Sequence, residues 1–512
     1  MRNLHKTGEN RVAIAAGVAI VLAGTVLRIT AARDCFWLDE IWSYFIALRA
    51  DHILEIFTKF NIVDNNHHLN TLFMYLTGET RNWVWYRVPS IITGSLLLVL
   101  IWRAAAAQST VAGLLALVLA AASYPLILYS SEARGYAPAL FFIMASFFLM
   151  QQYWDRKNIP TLLLFWLTTT LGLLANLSVA FTWFAIIIWS SLLGWNQTRS
   201  LRITITELIK CHSVPFFLWL FLVRSYITIN TPLNNLGTRS PELIVEFLAT
   251  TGTALTGAPQ QAYLFLTITA LALILFIFGY RDLYRKSATT AIFFLTAACL
   301  PPLLCILGRE SLHFRFSLAA FPFVYIIMAH GLAVCLKNKG IPRIICCLFC
   351  ICFLFGNTIR IYSLIHVGRG EYLKGIRYMA EQSQGRQIVV ASDNDFRNKM
   401  VLDFYARFLP KDKQLVYIHL EKWLVYGSDW LILHDQQVNA VPKPFYRYGT
   451  HMYRLKQTFP YGGVSGWNWF LYRNMAMDTS KHTHPATSVT ENQAAPPSVD
   501  RGGHIDRHTA AE

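Results

Sequence analysis

The chain has 512 residues, of which 54% are hydrophobic and only 14% are charged, and its formal net charge is +16. Soluble domains carry about 25% charged residues, so this composition excludes an ordinary soluble domain and indicates a membrane protein. Basic loops on the cytoplasmic side of a membrane explain the positive charge better than nucleic acid does, and we expect no nucleic-acid partner.

Long apolar runs recur from near Val12 onward. A helix needs about 20 mostly apolar residues to cross a bilayer. The first run is longer than the apolar core of a cleaved leader, about 7–15 residues, so we interpret it as a transmembrane helix. The sequence predicts about eleven such helices, at residues 12–32, 87–105, 110–128, 136–153, 160–175, 178–195, 213–230, 262–280, 288–307, 316–336 and 343–363.

The loops between these runs indicate an orientation. Nearly every second loop is basic, and the orientation that puts these loops in the cytoplasm also puts the N-terminus there. The basic residues include Arg103, Arg156, Lys157, Arg199, Arg202, Arg281, Arg285, Lys286, Lys337, Lys339 and Arg343. We therefore predict a multi-pass protein of the cytoplasmic (inner) membrane, and an odd number of spans places the C-terminal part outside the cytoplasm.

Three regions follow from this reading. Residues 1–365 form a transmembrane domain with a first outer loop at 34–86. Residues 366–477 form a small α/β domain outside the cytoplasm, because QIVVAS and DWLILHD have the pattern of buried strands and NKMVLDFYARF has helical spacing. Residues 478–512 are polar and rich in Pro, Thr and His, which predicts a disordered tail.

Charged and titratable residues cluster at the outer ends of the predicted spans. Such groups are costly at membrane depth and tend to mark a function. If the helices bundle, these side chains converge on one outer cavity. The candidates are the carboxylates Asp39, Glu40 and Glu132, the arginines Arg87, Arg134, Arg309 and Arg315, and the histidines His67, His68 and His313.

This set suits group transfer from a phosphate. A carboxylate beside a bound hydroxyl can act as general base, and arginines can hold a phosphate and stabilise the charge on it as it departs. Asp39 and Glu40 are about 100° apart on a helix, so one faces the reacting centre and the other orients it or binds nearby. Taken singly, each group has a structural explanation: interfacial acids, a loop ion pair at Glu132 and Arg134, or arginines reaching the headgroups.

Other motifs point away from nucleotide and metal chemistry. The chain contains no P-loop and no G-x-G-x-x-G. Nucleotide sugars are cytoplasmic, so a lipid carrier would have to bring an activated sugar to the outer side. The cysteine cluster CCLFCIC has no polar neighbours, which favours core packing over a metal site. We therefore assign no metal ligand.

Four motifs resemble the GT-C glycosyltransferases, the multispanning enzymes that use polyprenyl-phosphate sugars. The resemblance is to the branch of protein O-mannosyltransferases and lipid A aminoarabinose transferases, and it covers about residues 10–335. WLDE resembles the acidic motif of their first outer loop, and YRVPSIITGSLLLVLIWR resembles their second span. YSSEARGYA is similar to their short second outer loop, and HFRFSLAAFPF to their arginine-led late span. The chain departs from many relatives at HHLN, where they have His-Pro.

The resemblance implies a GT-C fold with a C-terminal domain outside the cytoplasm. It implies that Asp39 is the general base with Glu40 beside it, and that Arg134 and Arg315 lie near the donor phosphate. The expected function is an inverting glycosyltransferase that moves a sugar from a polyprenyl-phosphate carrier to a hydroxyl of a glycan, lipid or protein outside the cytoplasm. Some relatives use a divalent metal and others do not, so the cofactor stays open. The alternative is a transporter or flippase of lipid-linked sugars.

Overall fold

Helices make up most of the computed structural model, and a six-stranded sheet lies near the C-terminus. The structure describes residues 2–60, 67–229, 240–259, 261–308, 312–420, 422, 427–463 and 465–476. The tail predicted to be disordered, 478–512, lies outside the described residues.

Helices run through the described chain as far as His366, and two further helices and the strands of the sheet follow. In chain order they are α1 (Arg2–Ala31), α2 (Leu38–Arg49), α3 (Ile53–Phe57), α4 (His68–Thr77), α5 (Val84–Ala106), α6 (Thr110–Ala121), α7 (Tyr124–Ser130), α8 (Tyr136–Arg156), α9 (Ile159–Ala175), α10 (Val179–Thr198), α11 (Leu201–Ile229), α12 (Pro241–Thr256), α13 (Ala262–Lys286), α14 (Ala288–Gly308), α15 (Phe321–Lys337), α16 (Ile341–His366), α17 (Tyr372–Gln382) and α18 (Asp395–Ala406). A 3₁₀ segment, Phe314–Ala320, leads directly into α15.

All eleven predicted apolar runs fall on helices, but fewer pass as membrane spans. Within the described residues, eight helices are long and apolar enough to cross a membrane, or nine if α6 and α7, which meet at a 62° bend, form one span. The other two predicted spans fall short: α9 has only 17 residues, and α8 ends in the polar stretch QQYWDR. The count supported by length and composition is therefore eight or nine, and the chain is a multipass membrane protein.

The bend between α6 and α7 has a polar partner in α1. A helix that stops leaves its last carbonyls without donors from a following turn. The fully buried Arg28 donates from Nη1 to the carbonyl of Gly24 at 2.9 Å and from Nη2 to that of Ala120 at 3.4 Å. The guanidinium thus supplies a donor at the end of α6, where a positive charge also favours the helix dipole.

The C-terminal sheet is mixed. Its strands are β1 (Gln387–Ser392), β2 (Gln414–Tyr417), β3 (Trp430–Asp435), β4 (Phe445–Tyr448), β5 (His451–Phe459) and β6 (Asn468–Asn474), in the spatial order β2-β1-β3-β6-β5-β4. The first three pair in parallel and the rest pair antiparallel. Both predicted strands are present, and the predicted helix corresponds to α18. The run QIVVAS is almost wholly buried, as expected of a central parallel strand.

One hydrophobic core joins this sheet to the segment at the start of α2. Phe36, just before α2, stacks on Phe404 of α18 with ring centroids 5.2 Å apart. The hydroxyl of Tyr405 donates to the carbonyl of Phe36 and accepts from its amide, at 2.8 and 2.6 Å. The C-terminal part therefore holds the start of α2, the helix that carries Asp39 and Glu40.

Candidate active site

Asp39 lies between two arginines from distant parts of the chain. It is in the first turn of α2, Arg134 is in the loop at residues 131–135 between α7 and α8, and Arg315 is in the 3₁₀ segment. Nη1 of Arg134 and Nη1 of Arg315 both donate to Oδ2 of Asp39, the latter at 3.3 Å. The structure thus brings these three predicted site residues together.

The second oxygen of the Asp39 carboxylate is available. Oδ1 accepts no hydrogen bond from the described part of the chain, and the Asp39 side chain is 25% exposed. The Arg315 side chain is 31% exposed, whereas Arg134 is buried. A ligand can therefore reach one face of the cluster while the other face stays packed.

Aromatic rings form that packed face. The Arg134 guanidinium lies 5.1 Å from the ring centre of Tyr136 and 6.0 Å from that of Trp37. His67 packs against Tyr136 with ring centroids 4.8 Å apart. Rings around a guanidinium limit its rotation and shield its charge from water, which strengthens its interaction with an anion.

The Glu40 side chain points away from this cluster and forms an ion pair with Arg87. The two side chains are fully buried and bonded in bidentate fashion, with Nε to Oε1 at 2.7 Å and Nη2 to Oε2 at 2.5 Å. Arg87 also donates to the carbonyls of Ala32, Asp34 and Cys35, which uses its remaining N–H groups. Arg87 and Glu40 are therefore placed to hold the polypeptide rather than to meet a substrate.

Glu40 also fixes the loop that carries Arg134. Its Oε1 accepts the amide of Ala133 at 2.6 Å. The carbonyl of Ala133 accepts a hydrogen bond from Asn70 of α4, and Ser90 of α5 donates to the carbonyl of Arg134 at 2.9 Å. Three elements therefore set the position of this loop.

Glu132 faces the C-terminal part of the chain. Its Oε1 accepts from Nε of Arg369 at 3.2 Å and from the hydroxyl of Ser465 at 2.7 Å. Oε2 is buried and has no hydrogen-bond partner in the described residues. Burial raises the pKa of the Glu132 carboxyl, while the Arg369 guanidinium opposes that rise.

Arg369 is the site residue that the sequence analysis missed. Its backbone amide donates to Oδ2 of Asp34 at 2.5 Å, and its Nη2 donates to Ser131 at 2.8 Å. It is flanked by Gly368 and Gly370, both with positive φ (77° and 122°). The motif G-R-G is a turn signal, but it does not indicate what the arginine contacts.

The three predicted histidines are largely buried. Nδ1 of His67 lies 3.3 Å from the carbonyl of Ala175, and burial together with the charge of Arg134 holds its pKa well below the usual value. Burial lowers the pKa of His68 to about 4; its ring stacks on Phe57. Nδ1 of His313 accepts the amide of Arg315 at 3.1 Å, and burial lowers its pKa to about 3.

Two further predictions concern Arg309 and metal ions. Arg309 lies outside the described residues. Among those described, no group of three or more His, Cys, Asp or Glu side chains could hold a metal ion.

The fold and this site define a multipass membrane protein in which a carboxylate and two arginines from separate elements meet. No protein-family model and no curated protein matches the chain.

Several solved structures are similar to it. One is ArnT from Cupriavidus metallidurans bound to undecaprenyl phosphate, with 11% identity, a TM-score of 0.48, and coverage of 91% of this chain and 98% of that one. The apo state of the same protein has 10% identity, a TM-score of 0.49 and the same coverage. The archaeal oligosaccharyltransferase AglB from Archaeoglobus fulgidus, in complex with an inhibitory peptide and a dolichol-phosphate, has 10% identity and a TM-score of 0.47, covering 81% and 69% of the two chains.

Proposed function

We propose that this protein is an inverting glycosyltransferase that uses a sugar on a polyprenyl-phosphate carrier. The acceptor is a hydroxyl of a glycan, lipid or protein outside the cytoplasm. The observation that carries the proposal is the carboxylate of Asp39, bonded through one oxygen to Arg134 and Arg315 and unbonded at the other oxygen.

The reaction follows from these groups. The acceptor hydroxyl donates to Oδ1 of Asp39, which takes its proton as the acceptor oxygen forms a bond to the anomeric carbon. The bond from that carbon to the phosphate oxygen breaks, and the electron pair leaves with the polyprenyl phosphate. A single displacement inverts the anomeric centre. Arg134 and Arg315 stabilise the charge on the departing phosphate.

Donor binding also prepares the base. In the structure the two arginines are paired with Asp39. A phosphate between them competes for their N–H groups, because guanidinium and phosphate form strong bidentate hydrogen bonds. The arginines that hold Asp39 then bond the phosphate instead, and the carboxylate is left to meet the acceptor hydroxyl as the donor arrives.

Other charged residues around the site have supporting roles in this proposal. Glu40 and Arg87 hold the start of α2 and the loop at 131–135 in register. Glu132 and Arg369 tie that loop to the C-terminal part. Arg309 stays a proposed phosphate-binding residue on the strength of the sequence alone.

The proposal places the site on the outer face of the cytoplasmic membrane. The distribution of basic loops supports a cytoplasmic N-terminus, and residues 366–477 then form a domain outside the cytoplasm. The bilayer is part of the substrate path, because the donor carries a polyprenyl tail.

A transfer assay tests this function. The purified protein in lipid nanodiscs is given a panel of polyprenyl-phosphate sugars and extracted envelope glycans and lipids, and products are read by mass spectrometry. We expect transfer by the wild type and by Asp51→Asn, a control at an exposed acid just after α2, and none by Asp39→Asn. Movement of the lipid-linked sugar across the bilayer without transfer, unaffected by Asp39→Asn, would instead establish a flippase.

A further inference from the structure

A second polar cavity lies beside the 3₁₀ segment and is separate from Asp39. Its volume is about 200 Å³, and it lies between α7, α12, α16 and residues 312–314. Arg360, Thr253 and His313 are among its lining residues. Neither Asp39 nor Arg134 lines it, so it is a distinct space from the site described above.

Arg360 is an unusual residue in its position. It belongs to α16, a helix long and apolar enough to cross a membrane. Its side chain donates from Nη2 to the carbonyl of Ala258 at 3.2 Å, and within the described chain it pairs with no carboxylate. A partly buried guanidinium that no carboxylate bonds favours an anion as its partner.

Two other hydrogen-bond donors point to the same ligand. The hydroxyl of Thr253 is buried and has no hydrogen-bond partner in the described residues, and the residue is only 4% exposed. The neutral His313 ring accepts at Nδ1 from the amide of Arg315, so its proton is on Nε2. A guanidinium, a hydroxyl and an imidazole N–H that line one cavity match the oxygens of a phosphate.

The surroundings of the cavity indicate a lipid. The helices that wall it expose large apolar side chains: Leu243, one turn before Glu246 on α12, is 42% exposed, and Ile359, next to Arg360 on α16, is 52% exposed. Acyl chains can pack on these faces while a headgroup enters the cavity. Glu246 also lines the cavity and is exposed, so it can accept a hydrogen bond from an ammonium group.

We propose that this cavity binds the headgroup of a zwitterionic phospholipid. The phosphate lies against Arg360, Thr253 and His313, and the ammonium group lies at Glu246. Because His313 also bonds the amide of Arg315, the lipid sits next to the segment that delivers Arg315 to Asp39. The binding itself does not depend on the proposed glycosyl transfer.

Lipid retention tests the proposal. The purified full-length protein is equilibrated with phosphatidylethanolamine, phosphatidylglycerol or diacylglycerol in detergent, and bound lipid is measured by native mass spectrometry. We expect preferential retention of phosphatidylethanolamine, and retention at least about tenfold weaker in Arg360→Gln, since charge-assisted hydrogen bonds are lost. Thr253→Val, which is nearly isosteric, provides a second variant should Arg360→Gln fail to fold.

Two controls make the result decisive. Arg224→Gln removes an exposed arginine from another candidate span, α11, and is expected to retain the lipid as the wild type does. Arg315→Gln is expected to do the same, whereas a loss equal to that of Arg360→Gln would place the lipid at the Asp39 site and overturn the proposal. Equal retention of diacylglycerol, or equal stabilisation by inorganic phosphate without lipid, would overturn it as well.

Discussion

Arg369 donates from Nε to Oε1 of Glu132 across 3.2 Å, and both side chains are fully buried. The pair joins the turn after α16 to the loop that carries Arg134. Asp34, just after α1, accepts the backbone amide of the same arginine at 2.5 Å. One residue of the C-terminal part therefore ties together the end of the first span and the loop of the candidate site.

Arg369→Gln is expected to destabilise the protein strongly. Removing one partner of a buried ion pair leaves the other charge uncompensated, at a cost of about 3–5 kcal/mol. Thermal unfolding in detergent measures the effect. Lys374→Gln removes a nearby exposed ion pair with Glu371 and is the matched control, because such pairs contribute little. Equal stability of the two variants would contradict the role given to Arg369.

Gly135→Ala is expected to displace the loop that carries Arg134. A Cβ at Gly135 would overlap the carbonyl oxygen of Ala175 and would lie 3.0 Å from Nδ1 of His67. The backbone of Ala175 cannot move away without a cost in free energy, so both thermal stability and transfer activity should fall. Gly172→Ala is the control, since its Cβ meets its nearest neighbours at 3.4 Å. Normal transfer by Gly135→Ala would show that the loop position is not critical.

Glu40→Gln is expected to lower the stability of the protein, whereas Asp39→Asn is expected to lower its transfer activity. Glu40 is fully buried and bonded twice to Arg87, whereas the Asp39 side chain is 25% exposed. Loss of the Glu40 charge leaves the buried Arg87 without the carboxylate it bonds, so the unfolding temperature of Glu40→Gln should fall well below that of Asp39→Asn. A double variant, Glu40→Gln with Arg87→Met, should recover part of the loss, and no recovery would contradict a direct pairing.

The pH dependence of stability should include a contribution from His313. Burial lowers the pKa of this histidine from its ordinary value near 6.5 to about 3. Between about pH 6.5 and pH 3 the unfolded chain therefore binds a proton at this histidine, whereas the folded protein does not. The stability that the neutral ring contributes is fully present above about pH 6.5 and is lost as the pH falls towards 3.

His313→Asn isolates that contribution. Asparagine keeps a side-chain acceptor for the amide of Arg315 and cannot titrate. Thermal unfolding near pH 7 and near pH 4.5 should show a smaller acid-induced loss in the variant than in the wild type. Equal losses would mean that His313 is not buried in its neutral form.

Sequence reasoning located the helices and most of the candidate site. Apolar runs are continuous in the chain, so their length and hydropathy predict helices directly, and the terminal polarity of α8 explains why it does not pass as a span. Asp39, Arg134 and Arg315 could be grouped because orientation places their loops on one side of the membrane.

The different roles of the adjacent acids Asp39 and Glu40 could not be predicted from the sequence. Helical geometry requires Asp39 and Glu40 to point in different directions, but it does not say which one meets the arginines. That choice depends on Arg87, which bonds both carboxylate oxygens of Glu40. The contacts of Arg369 depend on residues more than 230 positions away, and no local pattern encodes them.

The central claim is that Asp39 removes a proton while Arg134 and Arg315 hold the donor phosphate. The most direct measurement compares turnover and undecaprenyl-phosphate affinity in Asp39→Asn and in the wild type. The account predicts that turnover falls by at least about 10²-fold, because the base is lost, while the lipid phosphate binds as tightly or more tightly, because the arginines no longer share Asp39. Unchanged turnover, or lost affinity for the lipid phosphate, would contradict it.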